Sequence, residues 1–274
     1  MKKFGKIRYL VFDIDGTLIH RNQTITPRTK KAILRAKEKG IHLAIASGRN
    51  IRGFDRFARE LIFGPGDFLI GLNGGQAETI DGRILYRDKG LALDQIRPYV
   101  DFWQQEEVLF YFYYYDRIAL LARSLEEEVE ENLRVIESLP FARVASFDEL
   151  TGRPIKVLLR AEEALINRGL TQLDPSIFQS YHLVRSEPYF LEMMNADIDK
   201  GASIREICQF SGCQPEEIIA FGDQKNDLGM IRQAGTGIAM GNATPELKEA
   251  ADLVIGHHNE DGIGRFLESS GLLD

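Results

Sequence analysis

Cysteine is scarce in this chain. Its two copies, Cys208 and Cys213, lack the spacing of a metal-binding pair and are too few for a disulfide framework. Long apolar runs are missing as well, and no stretch reaches the length needed to span a bilayer. The opening residues Met1-Lys2-Lys3-Phe4-Gly5-Lys6 offer no apolar segment of the secretory kind, so a cytoplasmic setting is expected. Basic residues do not dominate either. Lys and Arg number 34 against 41 Asp and Glu, a net charge of −7, which argues against nucleic acid or an anionic membrane as partner. The Gly-x-Gly-x-x-Gly turn of a dinucleotide-binding protein does not follow the first apolar run. What remains is an ordinary globular composition, 44% hydrophobic and 27% charged over 274 residues, enough for one large domain or two smaller ones.

The chain is organised around Arg8-Tyr9-Leu10-Val11-Phe12-Asp13-Ile14-Asp15-Gly16-Thr17. The apolar run reads as a buried strand that stops at two carboxylates. Side chains alternate along a strand, so Asp13 and Asp15 are expected to face one site beyond its carboxyl end. In open α/β sheets, ligands bind at that edge. Two close carboxylates repel unless a cation or a shared proton relieves them, which suggests a divalent metal. Asp-x-Asp-Gly also occurs as a plain turn, so the motif needs support from elsewhere.

That support comes in chain order. Thr26 and Pro27 open a helix with Ala32, Ile33 and Ala36 on one face, and Gly40 ends it. The strand 41–46 follows and runs into Ser47-Gly48-Arg49, a hydroxyl, a glycine and a cation suited to an anion. Strand, helix, strand predicts a parallel sheet. A third strand, 68–71, ends at Asn73-Gly74, which is also a common hairpin signal. From about Arg83 to Pro188 the pattern changes to an α+β insertion. It holds the aromatic run 110–115, strands near 118–121, 155–159 and 182–184, and helices from Ser124 through Glu128 and over 162–173. The aromatic run is explained by a sheet packed on helices, since the acidic charge speaks against base stacking. The alternating pattern then resumes. Asp199-Lys200-Gly201 precedes a helix, and the strand 218–221 runs into Gly222-Asp223-Gln224-Lys225-Asn226-Asp227. A helix with Leu228, Ile231 and Ala234, a strand at 237–240, a helix opened by Thr244-Pro245 and a strand at 252–255 complete the chain. His257 and His258 are expected to be surface residues without a role.

Four strand ends far apart in sequence thus present Asp/Asp, Ser-Gly, Asn-Gly and Gly-Asp…Asn-Asp to one edge, with Lys200 opening a helix nearby. A hard divalent ion, a carboxylate nucleophile and a second carboxylic acid are the parts that phosphoryl transfer uses. Together these motifs resemble the haloacid dehalogenase-like hydrolases, and within them the Cof-type phosphatases with a large α+β cap. The resemblance rests on Asp13-Ile14-Asp15-Gly16-Thr17, Ser47-Gly48-Arg49, Asp199-Lys200-Gly201 and Gly222 to Asp227, with echoes in Asn73-Gly74, Ala239-Met240-Gly241-Asn242-Ala243 and Glu260-Asp261-Gly262.

What the resemblance implies is a doubly wound, parallel-sheet (Rossmann-like) α/β core, residues 1–82 and 189–274, with an inserted α+β cap, residues 83–188. The expected function is Mg²⁺-dependent hydrolysis of a small phosphorylated metabolite, a sugar phosphate first and a phosphorylated cofactor second. By resemblance Asp13 is the nucleophile and a metal ligand. Asp15 is the general acid/base and lends its backbone carbonyl to the metal. Ser47, Lys200 and the backbone at Gly48 hold the phosphoryl oxygens, and Asp223 completes the protein's metal ligands. Asn226 and Asp227 support the metal's waters or the phosphate, while Asn73 and Gly74 line the substrate entrance. The segment 194–198 lacks a glycine expected before Lys200. A phosphomutase on the same scaffold, or a module that only accepts phosphate on Asp13, are the alternatives.

Overall fold

A computed structural model describes residues 4–104, 106–122 and 138–274. The chain divides into two units: residues up to Arg87 together with Asp199–Asp274, and Asp88–Ile198.

The first unit is built on an eight-stranded sheet. Its strands are β1 (Tyr9–Phe12), β2 (His42–Ala46), β3 (Phe68–Gly71), β4 (Gln76–Glu78), β5 (Ile84–Arg87), β12 (Ile218–Gly222), β13 (Thr236–Ala239) and β14 (Leu253–Val254). Their order is β14-β13-β12-β1-β2-β3-β4-β5. All neighbours from β14 to β3 are parallel, and β4 and β5 add on antiparallel. Helices α1 (Pro27–Glu38), α2 (Asp55–Glu60), α6 (Gly201–Ser211), α7 (Leu228–Gln233), α8 (Pro245–Ala250) and α9 (Gly262–Ser269) belong to this unit.

Every residue of β1 is buried, because its side chains go alternately to two cores. Leu10 and Phe12 pack with Ala32 and Ile33 of α1 and with Ile263 and Leu267 of α9, whereas Tyr9 and Val11 pack with Ile204 and Ile207 of α6 and Met230 of α7. That is the doubly wound α/β arrangement expected from the sequence. In α1, the Thr26 side chain accepts from Thr29 N, Pro27 takes the first turn, and Gly40 (φ +83) follows the helix. Across β1 and β12 the rings of Phe12 and Phe221 stack at 5.1 Å in register.

The second unit carries a six-stranded sheet of order β10-β11-β9-β6-β7-β8. Its strands are β6 (Leu109–Tyr113), β7 (Ile118–Ala122), β8 (Phe141–Val144), β9 (Lys156–Arg160), β10 (Tyr181–Glu187) and β11 (Phe190–Asn195). Pairing is antiparallel except between β7 and β8. Phe110 and Phe112 of the aromatic run are buried among Tyr99 and Trp103 of α3 (Leu93–Trp103) and Ile166 of α4 (Glu163–Leu170). A short helix, α5 (Ile177–Ser180), precedes β10. The helix expected from Ser124 through Glu128 lies outside the described residues.

The division falls at Arg87/Asp88 and Ile198/Asp199, where the sequence reading placed it at 82/83 and 188/189. The difference has a plain cause: β5 hydrogen-bonds onto β4 of the first sheet, and β11 lies between β10 and β9 of the second. Strands this short carry little periodic signal. Among the described residues, no helix is long and apolar enough to cross a membrane.

One buried carboxyl is unusual. Glu206 of α6 is 7% exposed, and its Oε2 has no hydrogen-bond partner among the described residues. Burial pushes it up to about 8, with Arg205 offsetting only part of the effect. A carboxyl whose folded value lies above its ordinary value near 4.5 costs stability increasingly as pH rises from that value to about 8. Glu206→Gln should therefore melt close to the wild type at pH 5 and higher than it at pH 8.5, by about 2–4 °C per kcal/mol regained. Scanning calorimetry at the two pH values checks this, and an equal effect at both would contradict the burial argument.

Candidate active site

The parallel strands fan outward from the centre of the first sheet: β2 and β3 lie on one side of β1, and β12, β13 and β14 on the other. The chain direction of winding reverses between β1 and β12, and a crevice for ligand opens beyond the carboxyl ends of strands at such a point. The loops after β1, β2, β3 and β12 all leave from that edge. Phe12 is level with Phe221, and Asp13 N donates to Phe221 O at 3.0 Å, so the first and fourth loops start side by side.

Asp13 is buried at 5% exposure, and Lys200 at 3%. The Lys200 ammonium donates to Asp13 Oδ1 at 2.5 Å and to Asp227 Oδ1 at 2.6 Å. The other oxygen of Asp227 accepts the backbone N–H of Asp223 (2.8 Å) and of Gln224 (3.0 Å). Asp223 Oδ1 accepts the Thr17 hydroxyl at 2.8 Å. Carboxylate oxygens of Asp13, Asp223 and Asp227 all lie within 4.8 Å of one another.

Such crowding has an electrostatic cost. Burial pushes Asp13 up to about 7, while Lys200 pulls it down and Asp227 and Asp15 push it further up. Burial likewise raises Asp223 to about 8, with Asp13 and Asp227 adding to the shift and Thr17 and Lys200 opposing it. For Lys200, burial works against the charge, but Asp13 and Asp227 overcome it and hold the ammonium firmly protonated. One ammonium does not balance three carboxylates. The donor set is all oxygen and suits a hard divalent cation. Asp227 has its oxygens already committed to Lys200 and to two backbone N–H groups, so Asp13 and Asp223 are the better-placed direct ligands.

β1 ends at Phe12, and the two carboxylates beyond it differ in burial: Asp13 is buried, whereas the Asp15 side chain is 49% exposed and paired with Arg49. Arg49 Nε donates to Asp15 Oδ2 at 2.7 Å, its Nη2 donates to Oδ1, and the same nitrogen reaches Gln23 Oε1 at 3.2 Å.

The remaining expected residues form a polar rim. Ser47 is buried, its hydroxyl accepts Arg49 N–H at 3.2 Å, and its carbonyl accepts Asn73 N–H at 3.0 Å. A Cβ on Gly48 would stand 3.1 Å from Asn73 Oδ1, and that oxygen accepts Asn226 Nδ2 at 3.4 Å. Asn226 Oδ1 is buried without a partner among the described residues. Asn73 adopts φ +55 and Gly74 φ +96, and a Cβ on Gly74 would meet Asp199 O at 2.7 Å, so this loop abuts the start of α6.

Arg49 was expected as a cation suited to an anion, and Thr17 and Asn242 only as members of motifs; their contacts with Asp15, Asp223 and Gly16 arise in three dimensions. His258, expected to be a surface residue, is partly buried and reaches the Gly16 carbonyl at 3.0 Å through Nδ1.

A family model described as haloacid dehalogenase-like hydrolase matches residues 10–267. The chain belongs to that family. It is an enzyme, a hydrolase with curated relatives named as phosphatases. It is 31% identical to a putative phosphatase of Haemophilus influenzae, over 93% of this chain and 95% of the relative. It is 27% identical to 5-amino-6-(5-phospho-D-ribitylamino)uracil phosphatase of Bacillus subtilis, over 95% and 94%. Among solved structures, a subclass IIB sugar phosphatase of the superfamily superposes with a TM-score of 0.81 at 26% identity, over 97% of this chain and 99% of that one. These matches agree with the Cof-type resemblance.

Removing Lys200 tests the electrostatics directly. Lys200→Met should leave two buried carboxylates unpaired and cost roughly 3–5 kcal/mol in urea unfolding of metal-free protein. A loss below about 1 kcal/mol would show that the ammonium does not hold the cluster together.

Proposed function

We propose that this protein is an Mg²⁺-dependent phosphatase of small phosphorylated metabolites that works through an aspartyl-phosphate on Asp13. The observation that carries the reading is the Asp13 carboxylate, buried 2.5 Å from the Lys200 ammonium and beside Asp223. In the first half-reaction an Asp13 oxygen attacks phosphorus, the bond to the leaving oxygen breaks, and Asp15 protonates the departing alcohol. In the second, Asp15 takes a proton from a water that attacks the same phosphorus, and phosphate and free Asp13 result. Lys200, the Ser47 hydroxyl and the Gly48 backbone neutralise and hold the phosphoryl oxygens, with Asn226 at the rim. The ion pair between Asp15 and Arg49 occupies both carboxylate oxygens and has to open for Asp15 to reach the leaving group.

Asp13, Asp223 and the Asp15 backbone carbonyl would hold the Mg²⁺, which supplies charge neutralisation at the phosphoryl group when bound. The excess of buried negative charge supports this assignment, as do the raised values of Asp13 and Asp223. Asn73 and Gly74 would line the substrate entrance. Sugar phosphates are the first substrate class, supported by the sugar phosphatase neighbour; a phosphate ester of a sugar alcohol or cofactor comes second, supported by the ribitylaminouracil relative. A cytoplasmic setting completes the reading.

Asp13→Asn should abolish both turnover and the acid-stable trapped phosphoryl adduct. Asp15→Asn should lose about 10²–10⁴-fold in turnover of alkyl phosphates. A screen of phosphorylated metabolites with Mg²⁺, reading free phosphate against isomerised sugar phosphate, separates hydrolysis from mutase activity. An adduct that persists in Asp13→Asn would move the nucleophile elsewhere.

A further inference from the structure

We propose that Asn242 is a positioning residue for the metal site, tying the loop that carries Asp13 to the loop that carries Asp223. The inference rests on the phosphatase reading above, since it concerns Asp223 as a metal ligand.

The amide of Asn242 is oriented by its neighbours. Its Oδ1 accepts the backbone N–H of His258 at 3.1 Å, and a backbone N–H only donates, so the amide nitrogen must face the other way. There, Nδ2 donates to the Gly16 carbonyl at 2.8 Å and to Asp223 Oδ2 at 3.3 Å. The second oxygen of Asp223 accepts from Thr17, the residue after Gly16. A closed ring therefore runs from Gly16 O through Asn242 to Asp223, through Thr17, and back along the backbone to Gly16. His258 Nδ1 also meets the Gly16 carbonyl; a carbonyl only accepts, so that nitrogen carries the proton.

Two further features make this ring an instrument of geometry. First, the loops are already at contact distance: Gly16 has φ +77, and a Cβ there would fall 2.3 Å from Asp223 Oδ2. A small shift of either loop would displace the carboxylate. Second, the turn that carries Asn242 is anchored by its own backbone. Gly241 N donates to Gly256 O at 3.1 Å, Ala243 N to Met240 O at 2.9 Å, and Thr244 N to Asp223 O at 2.9 Å. A side chain on so restrained a support fixes the orientation of a ligating carboxylate, and losing such an outer partner commonly weakens metal binding.

The test uses the full chain, stripped of metal, titrated with Mg²⁺ alone by calorimetry. Asn242→Ala should bind Mg²⁺ about 10–100-fold more weakly than the wild type, regain kcat at saturating Mg²⁺, and melt near the wild type without metal. His258→Ala, which loses a bond to Gly16 but none to Asp223, should show a smaller loss. Asn242→Ser serves the same comparison if the alanine variant does not fold, because a short hydroxyl cannot span both acceptors. Unchanged Mg²⁺ affinity in the Asn242 variant, with wild-type protein binding normally, overturns this inference and leaves the phosphatase reading intact. A wild-type protein that binds no Mg²⁺ removes the metal-dependent reading and this inference with it.

Discussion

The ammonium of Lys200 is the group on which the candidate site depends. It sits between Asp13 and Asp227, both buried, and each of the three comes from a different part of the chain: the end of β1, the start of α6 and the loop after β12. Buried charges are costly to desolvate, and a paired arrangement of this kind adds little net stability over apolar packing. What it adds is a definite geometry. Lys200 fixes one oxygen of Asp13, and Asp227, fixed by the same ammonium, orients the backbone of Asp223. A surplus of negative charge remains, which a cation and a phosphoryl group can share between them.

The sheet explains why these groups meet. The central parallel strands β1, β12 and β3 are buried on both faces, so their loops are the first places where polar side chains can stand, and all carboxyl-end loops share one edge. β1 lies at the reversal of winding, flanked by β12 and β2, so its loop borders both the acidic motif and the Ser-Gly-Arg motif. The aromatic stacking of Phe12 on Phe221 locks the two strands in register directly beneath Asp13 and Asp223. The hydrophobic layer thus sets the positions of the polar one.

Much of this was legible in one dimension. Apolar runs that end in Asp13, Ser47, Asn73 and Gly222 marked the strands and their functional ends, and Thr26-Pro27 and Thr244-Pro245 marked helix starts that the structure shows with the same caps. The short antiparallel additions β4 and β5 and the membership of β11 in the second sheet were not, because strands of three to six residues carry no distinctive period. Strand alternation gives no rule at Asp15: it holds only while the backbone stays extended, β1 ends at Phe12, and the pairing of Asp15 with Arg49 is set in three dimensions.

By itself, then, the order of residues determined the family, the alternating α/β framework and the set of motifs, since each is written in contiguous residues whose spacing obeys helix, strand or turn geometry. Only the tertiary structure decided which oxygen meets which donor. The pairing of Arg49 with Asp15, of Thr17 and Asn242 with Asp223, and of His258 with Gly16 joins residues up to 242 positions apart. Such contacts have no local signature, because they arise from the register of neighbouring strands and the packing beneath them rather than from any preference of the residues for their neighbours in the chain.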